Sequence, residues 1–168
     1  MEKFKANDNK NEEHEINYRQ FNKKLELLNQ ILSLISDINQ AADEKEVKDC
    51  IPALLQYIGE YTDADRVYIF ELISEKQDYY SNTFEWCREG IIPQIDNLIR
   101  ISAGSMPVWH EKFLRGETII IHDLEKIRET MPLEYDILKV QDVHSLLVLP
   151  LFANTQLSGF IGLDNPEL

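Results

Sequence analysis

Apolar residues change their spacing several times along the chain, and each change marks a structural element. From Phe21 the period is helical: Phe21, Leu25, Leu28, Leu32 and Ile35 recur at alternating steps of four and three. A second row, Leu27, Ile31, Leu34 and Ile38, runs beside the first at the same steps. Each row alone is a coiled-coil-like seam, and together they make an apolar face wider than a single surface helix carries. The spacing predicts an N-terminal helix over 18–42. One row packs on the domain and the other needs a partner, for which a second copy of the same helix is the simplest choice. The competing reading buries both rows in one core.

After the break at Ala41-Ala42-Asp43, helical spacing resumes with Val47, Cys50, Ile51, Leu54, Leu55 and Ile58. Gly59 is an expected stop, and Pro52 inside the pattern should kink or split the helix. Arg66 to Ile73 (RVYIFELI) is β-branched and aromatic with apolar residues on both alternating faces, which suits a central strand covered on both sides. Tyr79 to Cys87 alternates with period two, Phe84 and Trp86 on one side and Thr83, Glu85 and Cys87 on the other. The run GIIPQIDNLI has no clear period and reads as a loop. Met106 to Leu114 predicts a short helix closed by Arg115-Gly116, with Trp109 and Phe113 on one face. Thr118 to His122 reads as a strand, Asp123 as the cap of a turn, and Leu133 to Val140 as a helix entered through Pro132. Ser145 to Phe152 and Gln156 to Leu163 flank a short turn and predict an antiparallel hairpin. Strands that neighbour one another in sequence point to an antiparallel sheet, so the fold class is α+β.

Composition narrows the function classes. The 168 residues are 43% hydrophobic and 28% charged, an ordinary globular mixture, and the formal net charge is −13. So acidic a surface repels phosphate backbones and anionic lipid, which argues against nucleic-acid partners and direct membrane contact. Residues 1–17 are polar and nearly free of apolar groups, and are expected to be a flexible lead. That stretch has no apolar signal region, and no window is long and apolar enough to span a membrane. The expected location is cytoplasmic, where Cys50 and Cys87 would persist as free thiols.

The candidates for chemistry are few. Neither cysteine sits at a metal-ligand spacing, and Cys87 has no histidine near it in sequence to act as a base, so both read as packing residues. His14, His110, His122 and His144 are scattered, which gives a metal site no spacing support. Gly159-Phe160-Ile161-Gly162 lacks the third glycine and the following helix of a dinucleotide fingerprint. Its glycines are expected to mark a bulge or a close approach by a packed helix. No catalytic residue, metal or cofactor is expected.

Four segments, TDADRVYIFEL, NTFEWCREGI, VWHEKFLRGETIII and HSLLVLPLFANTQLSGFIGLDN, occur in an order and spacing that resemble a GAF domain, the small-molecule sensor module of signalling proteins. The wording resembles the subgroup placed ahead of diguanylate cyclase, phosphodiesterase or histidine kinase modules in bacterial proteins. The resemblance implies a GAF-like (profilin-like) central antiparallel sheet, with helices packed on one face and a ligand pocket under short helices on the other. With the lead at 1–17 and the dimerisation helix at 18–42 read above, the domain body is expected at 43–168, ending before the C-terminal signalling helix that the resemblance implies. Candidate pocket residues are Phe70, Phe84, Trp86, Trp109, His110, Phe113, Ile121 and Tyr135, aromatic residues that otherwise serve as core. Phe21, Leu25, Leu28, Leu32 and Ile35 are the candidate homodimer seam. The implied function is a non-enzymatic sensory domain that binds an unknown small molecule or partner and relays it through dimer helices to an output domain. Its alternatives are a ligand-free dimerisation spacer and a methionine sulfoxide reductase of GAF type. The cysteine motifs of bilin-binding relatives and the signature of cyclic-nucleotide binders are absent from the sequence.

Overall fold

The computed structural model describes residues 15, 17–19, 21–33, 36, 44–74 and 78–167. The chain divides between Cys50 and Ile51 into two units. In the first, residues 21–33 form helix α1, and residues 15, 17–19 and 36 are also helical. Tyr18, Phe21, Leu25, Leu28 and Leu32 are all exposed, whereas Leu27 and Ile31 are half-buried. Among the described residues the two apolar rows therefore differ, and the first is exposed. Residues 1–14, Leu34, Ile35, Ile38 and the break at Ala41-Ala42-Asp43 lie outside the described residues, together with the expectations placed on them.

Helix α2, Glu44–Thr62, runs without interruption through both Pro52 and Gly59, so neither the expected split nor the expected stop occurs. Gly59 stays within the helix, and its missing side chain admits a ring: a Cβ there would collide with the indole of Trp86. The helix ends where Thr62 Oγ1 donates back to the carbonyl of Ile58 and Asp63 takes a positive φ of 51°.

The body of the second unit is a six-stranded antiparallel sheet in the order β3-β2-β1-β6-β5-β4. Its strands are β1 (Arg66–Ser74), β2 (Asp78–Cys87), β3 (Ile101–Ser102), β4 (Ile119–Ile121), β5 (Leu146–Ala153) and β6 (Gln156–Asp164). The central strands β1 and β6 pair from Arg66↔Asp164 to Glu71↔Gly159. Helix α3 (Pro107–Leu114), helix α4 (Pro132–Lys139) and three short 3-10 turns complete the unit, one of the turns at Ile95–Asn97 inside the expected loop. Both helices begin on proline, whose fixed φ and missing N–H suit a first helical position.

Two cores follow from the strand alternation. On one face, Val67 and Leu163 pack with Leu55 of α2 and with Ala64, and Phe84, Trp86, Ile69 and Ile161 lie around them. On the other, Phe70, Tyr80 and Phe160 pack beneath Trp109 and Phe113 of α3 and Tyr135 and Leu138 of α4. Phe70 and Phe160 stack at 4.7 Å, and Phe113 and Tyr80 lie 5.0 and 5.1 Å from the Phe160 ring.

Of the two expectations for the glycines of β6, the bulge occurs beside Gly159, where Leu151 pairs with Gly159 but Phe152 with Leu157, and the approach of a helix does not. A Cβ on Gly159 would strike the carbonyl oxygen of Phe70, and one on Gly162 would strike the ring of Tyr68. The close approach comes from β1, the paired strand, because Tyr68 lies opposite Gly162 and lays its ring across it.

Candidate functional site

The α3/α4 face of the sheet carries charged groups inside an aromatic core. Arg66 opens β1, Asp164 closes β6, and the pairing of the two strands sets them opposite each other. Both are almost wholly buried, and Arg66 Nε donates to Asp164 Oδ2 at 2.8 Å. The guanidinium also donates to the carbonyls of Ile92 and Gln141, at 3.3 and 2.6 Å. The ring laid across Gly162 brings Tyr68 Oη to 2.8 Å from Asp164 Oδ1. Burial pushes the Asp164 carboxyl above its ordinary range, against the opposing pull of Arg66 and the Tyr68 hydroxyl. Burial raises the Tyr68 phenol well above its usual value, and the neighbouring Asp164 raises it further.

Glu134, in the first turn of α4, is 1% exposed. Its Oε1 accepts from the backbone N–H groups of Val108 and Trp109, at 2.8 and 3.3 Å, and so caps the start of α3. Its Oε2 is buried with no hydrogen-bond partner among the described residues, and the same holds for Trp109 Nε1. Glu85, on β2, accepts from the N–H groups of Gln94 and Ile95 and so ties the loop to the sheet.

These groups enclose a cavity of about 30 Å³. Arg66, Glu85, Glu134 and Asp164 line it, and Phe70, Trp109 and Phe160 supply aromatic wall. The space holds about one or two water molecules. Leu98, Ile137 and Gln141 border both the cavity and an outer groove of about 560 Å³. The groove runs between the Gln94–Leu98 loop and the exposed end of α4, with Asp136 as its charged residue.

The residues expected to form a pocket separate into three groups. Phe70 and Trp109 line the cavity. Phe113, Ile121 and Tyr135 belong to the surrounding core, and His110 meets Tyr80 Oη through Nδ1 at 2.8 Å. Phe84 and Trp86 are corrections: they pack toward α2 on the opposite face, because their partners Ile69 and Val67 point that way. Their neighbour Glu85, with the opposite alternation, is the cavity residue. Cys87 shares the side of Glu85; burial, followed by the nearby Glu85, pushes its thiol up to about 11. Among the described residues no cluster of three or more potential metal ligands occurs, and no helix is long and apolar enough to cross a membrane.

Sequence reasoning missed Arg66, Glu85, Glu134 and Asp164. Each left a trace: Arg66 and Asp164 interrupt apolar strand ends, Glu85 sits between two aromatic residues, and Glu134 falls in line with the buried Leu138 at helical spacing.

A model of the GAF domain family matches residues 46–167. The chain belongs to the GAF domain family. Its sequence is 30% identical over 124 residues to the methanogenesis regulatory histidine kinase FilI of Methanothrix harundinacea (strain 6Ac), a match covering 71% of this chain and 14% of that protein. The chain thus spans about one seventh of the length of the curated relative. Among solved structures, the GAF fold is shared with the chromophore-binding domain of Stigmatella aurantiaca bacteriophytochrome (TM-score 0.63, 17% identity, 83% of this chain and 51% of the other). It is shared also with the red/green cyanobacteriochrome NpR6012g4 (0.59, 16%, 73% and 78%). A third is the NreA protein of Staphylococcus aureus, mutated in its nitrate-binding site (0.56, 15%, 72% and 89%). At these identities the likeness shows the GAF fold alone.

Proposed function

We propose that this GAF domain is a cytoplasmic, non-enzymatic sensory module of a signal-transduction protein. It binds a small molecule in the cavity between the sheet and α3/α4 and passes the change in packing through paired N-terminal helices to an output domain. The observation that carries the reading is the cavity itself, a mainly apolar space with a few polar groups in its wall, in a domain whose relative is a regulatory histidine kinase. That relative favours a histidine kinase output over a diguanylate cyclase one. The exposed residues Tyr18, Phe21, Leu25, Leu28 and Leu32, spaced three and four apart, support a homodimer through α1. A ligand shifts such a dimer only by its differential affinity for two packings.

One two-part experiment tests this. Thermal-shift screening against nucleotides, amino acids and other metabolites is repeated on Ile137→Trp, which narrows the way from groove to cavity. Light scattering follows the mass of wild type and Leu28→Glu. The expected result is a ligand that stabilises wild type but not Ile137→Trp, and a dimer that Leu28→Glu dissociates. A wild-type monomer at high micromolar concentration removes the relay. A second reading, a dimerisation spacer without ligand, is favoured by the small size of the cavity, and holds if no compound stabilises the domain at saturation.

A further inference from the structure

The cavity is unusual in the groups it leaves unpaired and in the sign of its charge. Arg66 and Asp164 neutralise each other, and every acceptor of Asp164 in use is taken by Arg66 or Tyr68. Glu85 and Glu134 have no cation beside them in the cavity wall, whose only basic residue is Arg66. The groove outside adds Asp136 and no basic residue. An anion entering from the groove therefore meets carboxyl groups at each step, with the one guanidinium already committed.

Two atoms define what the cavity would accept. Glu134 Oε2 is an acceptor without a donor, and Trp109 Nε1 is a donor without an acceptor; both are buried on residues that line the cavity. Leaving either unmade costs the desolvation of that group, so a ligand that satisfies both recovers it. The stacked rings of Phe70 and Phe160, with Trp109 edge-on to Phe160 at 6.3 Å, add a flat aromatic wall against which the body of the ligand packs.

We propose that the cavity takes a small organic cation, an ammonium or amidinium on a compact body bearing an acceptor atom, held by Glu134 Oε2 and Trp109 Nε1. This specifies the ligand class of the sensory pocket and rests on that pocket being a binding site. Met106, an unbranched and flexible part of the wall, moves outward to admit it. Selectivity against anions comes from Glu85, Glu134 and Asp136, and selectivity against neutral analogues from the charge on the donor that reaches Glu134.

The test compares probes of matched shape and different charge: benzamidinium, benzamide and benzoate, and tyramine against 4-hydroxyphenylacetate. Binding is measured by calorimetry and thermal shift on wild type, Glu134→Gln, Trp109→Phe and Ile137→Trp, each checked for folding by circular dichroism. Glu134→Gln keeps an oxygen to cap α3 and replaces Oε2 with an N–H₂ donor. The expected result is that at least one cation binds wild type about tenfold or more tightly than its neutral and anionic counterparts. Glu134→Gln should cost that cation about tenfold, Trp109→Phe a few-fold, and Ile137→Trp should abolish binding. Benzoate or benzamide binding as tightly as benzamidinium, in a manner lost in Ile137→Trp, overturns the cation assignment and leaves the sensory pocket standing. Cation binding unchanged in Glu134→Gln also overturns it. No binding by any probe overturns the assignment, and the metabolite screen then decides separately whether the pocket binds anything.

Discussion

On the α2 side of the sheet, Leu55, Ala64, Val67 and Leu163 are buried with aliphatic and aromatic neighbours, whereas on the α3/α4 side the same strands bury Arg66 and Asp164 among aromatic rings, near the buried Glu134 of α4. One pair of strands builds both, since Arg66 and Val67 are consecutive, as are Leu163 and Asp164. A hydrophobic face is held by area removed from water and tolerates no special geometry beyond good packing. A face with buried charges holds together only while each charge keeps its partners. The contrast teaches where this domain can change state: the hydrophobic cluster on the α2 face contains no titrating residue, and the other face has several buried charged groups.

The largest expected effect breaks the charged side. Arg66→Met strands the Asp164 carboxyl and the carbonyls of Ile92 and Gln141, and should cost about 3–5 kcal/mol in urea unfolding at neutral pH. The loss should depend on pH in a definite direction. The folded Asp164 carboxyl already lies above its ordinary range through burial, and without Arg66 nothing but the Tyr68 hydroxyl opposes that rise. An acid raised on folding contributes stability that is present below its unfolded pKa and is lost as pH rises through the folded value. The deficit of Arg66→Met relative to wild type should therefore shrink on acidification. A deficit that stays constant with pH would mean that packing, and not charge, dominates this side.

The matching change on the other face is Leu55→Ala. Leu55 is fully buried, and its truncation should cost about 3 kcal/mol through lost burial and the cavity left behind. Here the deficit should be the same at pH 5 and pH 7, because no titrating residue belongs to that cluster. Urea titrations at the two pH values check it. A pH-dependent loss would show the two faces to be coupled through the sheet.

Much of this fold was readable because its periods are clean. The two-sided apolar pattern of Arg66 to Ile73 placed β1 in the middle of the sheet, and the run to either side of Asn154 gave the β5–β6 hairpin. Pro107 and Pro132 begin α3 and α4 close to where the spacing set them. What failed to show was anything decided between elements distant in sequence. Alternation puts Phe84 and Trp86 on one side and Glu85 on the other, yet cannot say which side is the cavity; only the pairing with Val67 and Ile69 does. Gly59 looked like a stop because the indole of Trp86 that fills its place comes from β2. Glu134 looked like an ordinary acidic residue in a first helical turn, since the N–H groups it caps lie 25 and 26 residues earlier, on α3.

The smallest effect concerns Cys87, which lies on the charged side at the end of β2. Burial, with Glu85 adding to it, pushes the thiol from about 9 up to about 11, so at pH 8 it holds far less thiolate than an ordinary cysteine. In a Cys50→Ser background, the rate of alkylation by iodoacetamide should keep climbing past pH 9 and level off only near 11. The accompanying stability change is small because the side chain is half-exposed: a group raised on folding contributes below its unfolded value and loses that contribution as pH rises from 9 toward 11. A rate that levels off by pH 9 would show that the carboxyl-rich side does not reach Cys87, and would return it to the candidates for nucleophilic chemistry. A rate still rising at pH 10 ties Cys87 to the electrostatics of that face and supports a packing role, since a thiol held neutral neither attacks a substrate nor captures a chromophore at physiological pH.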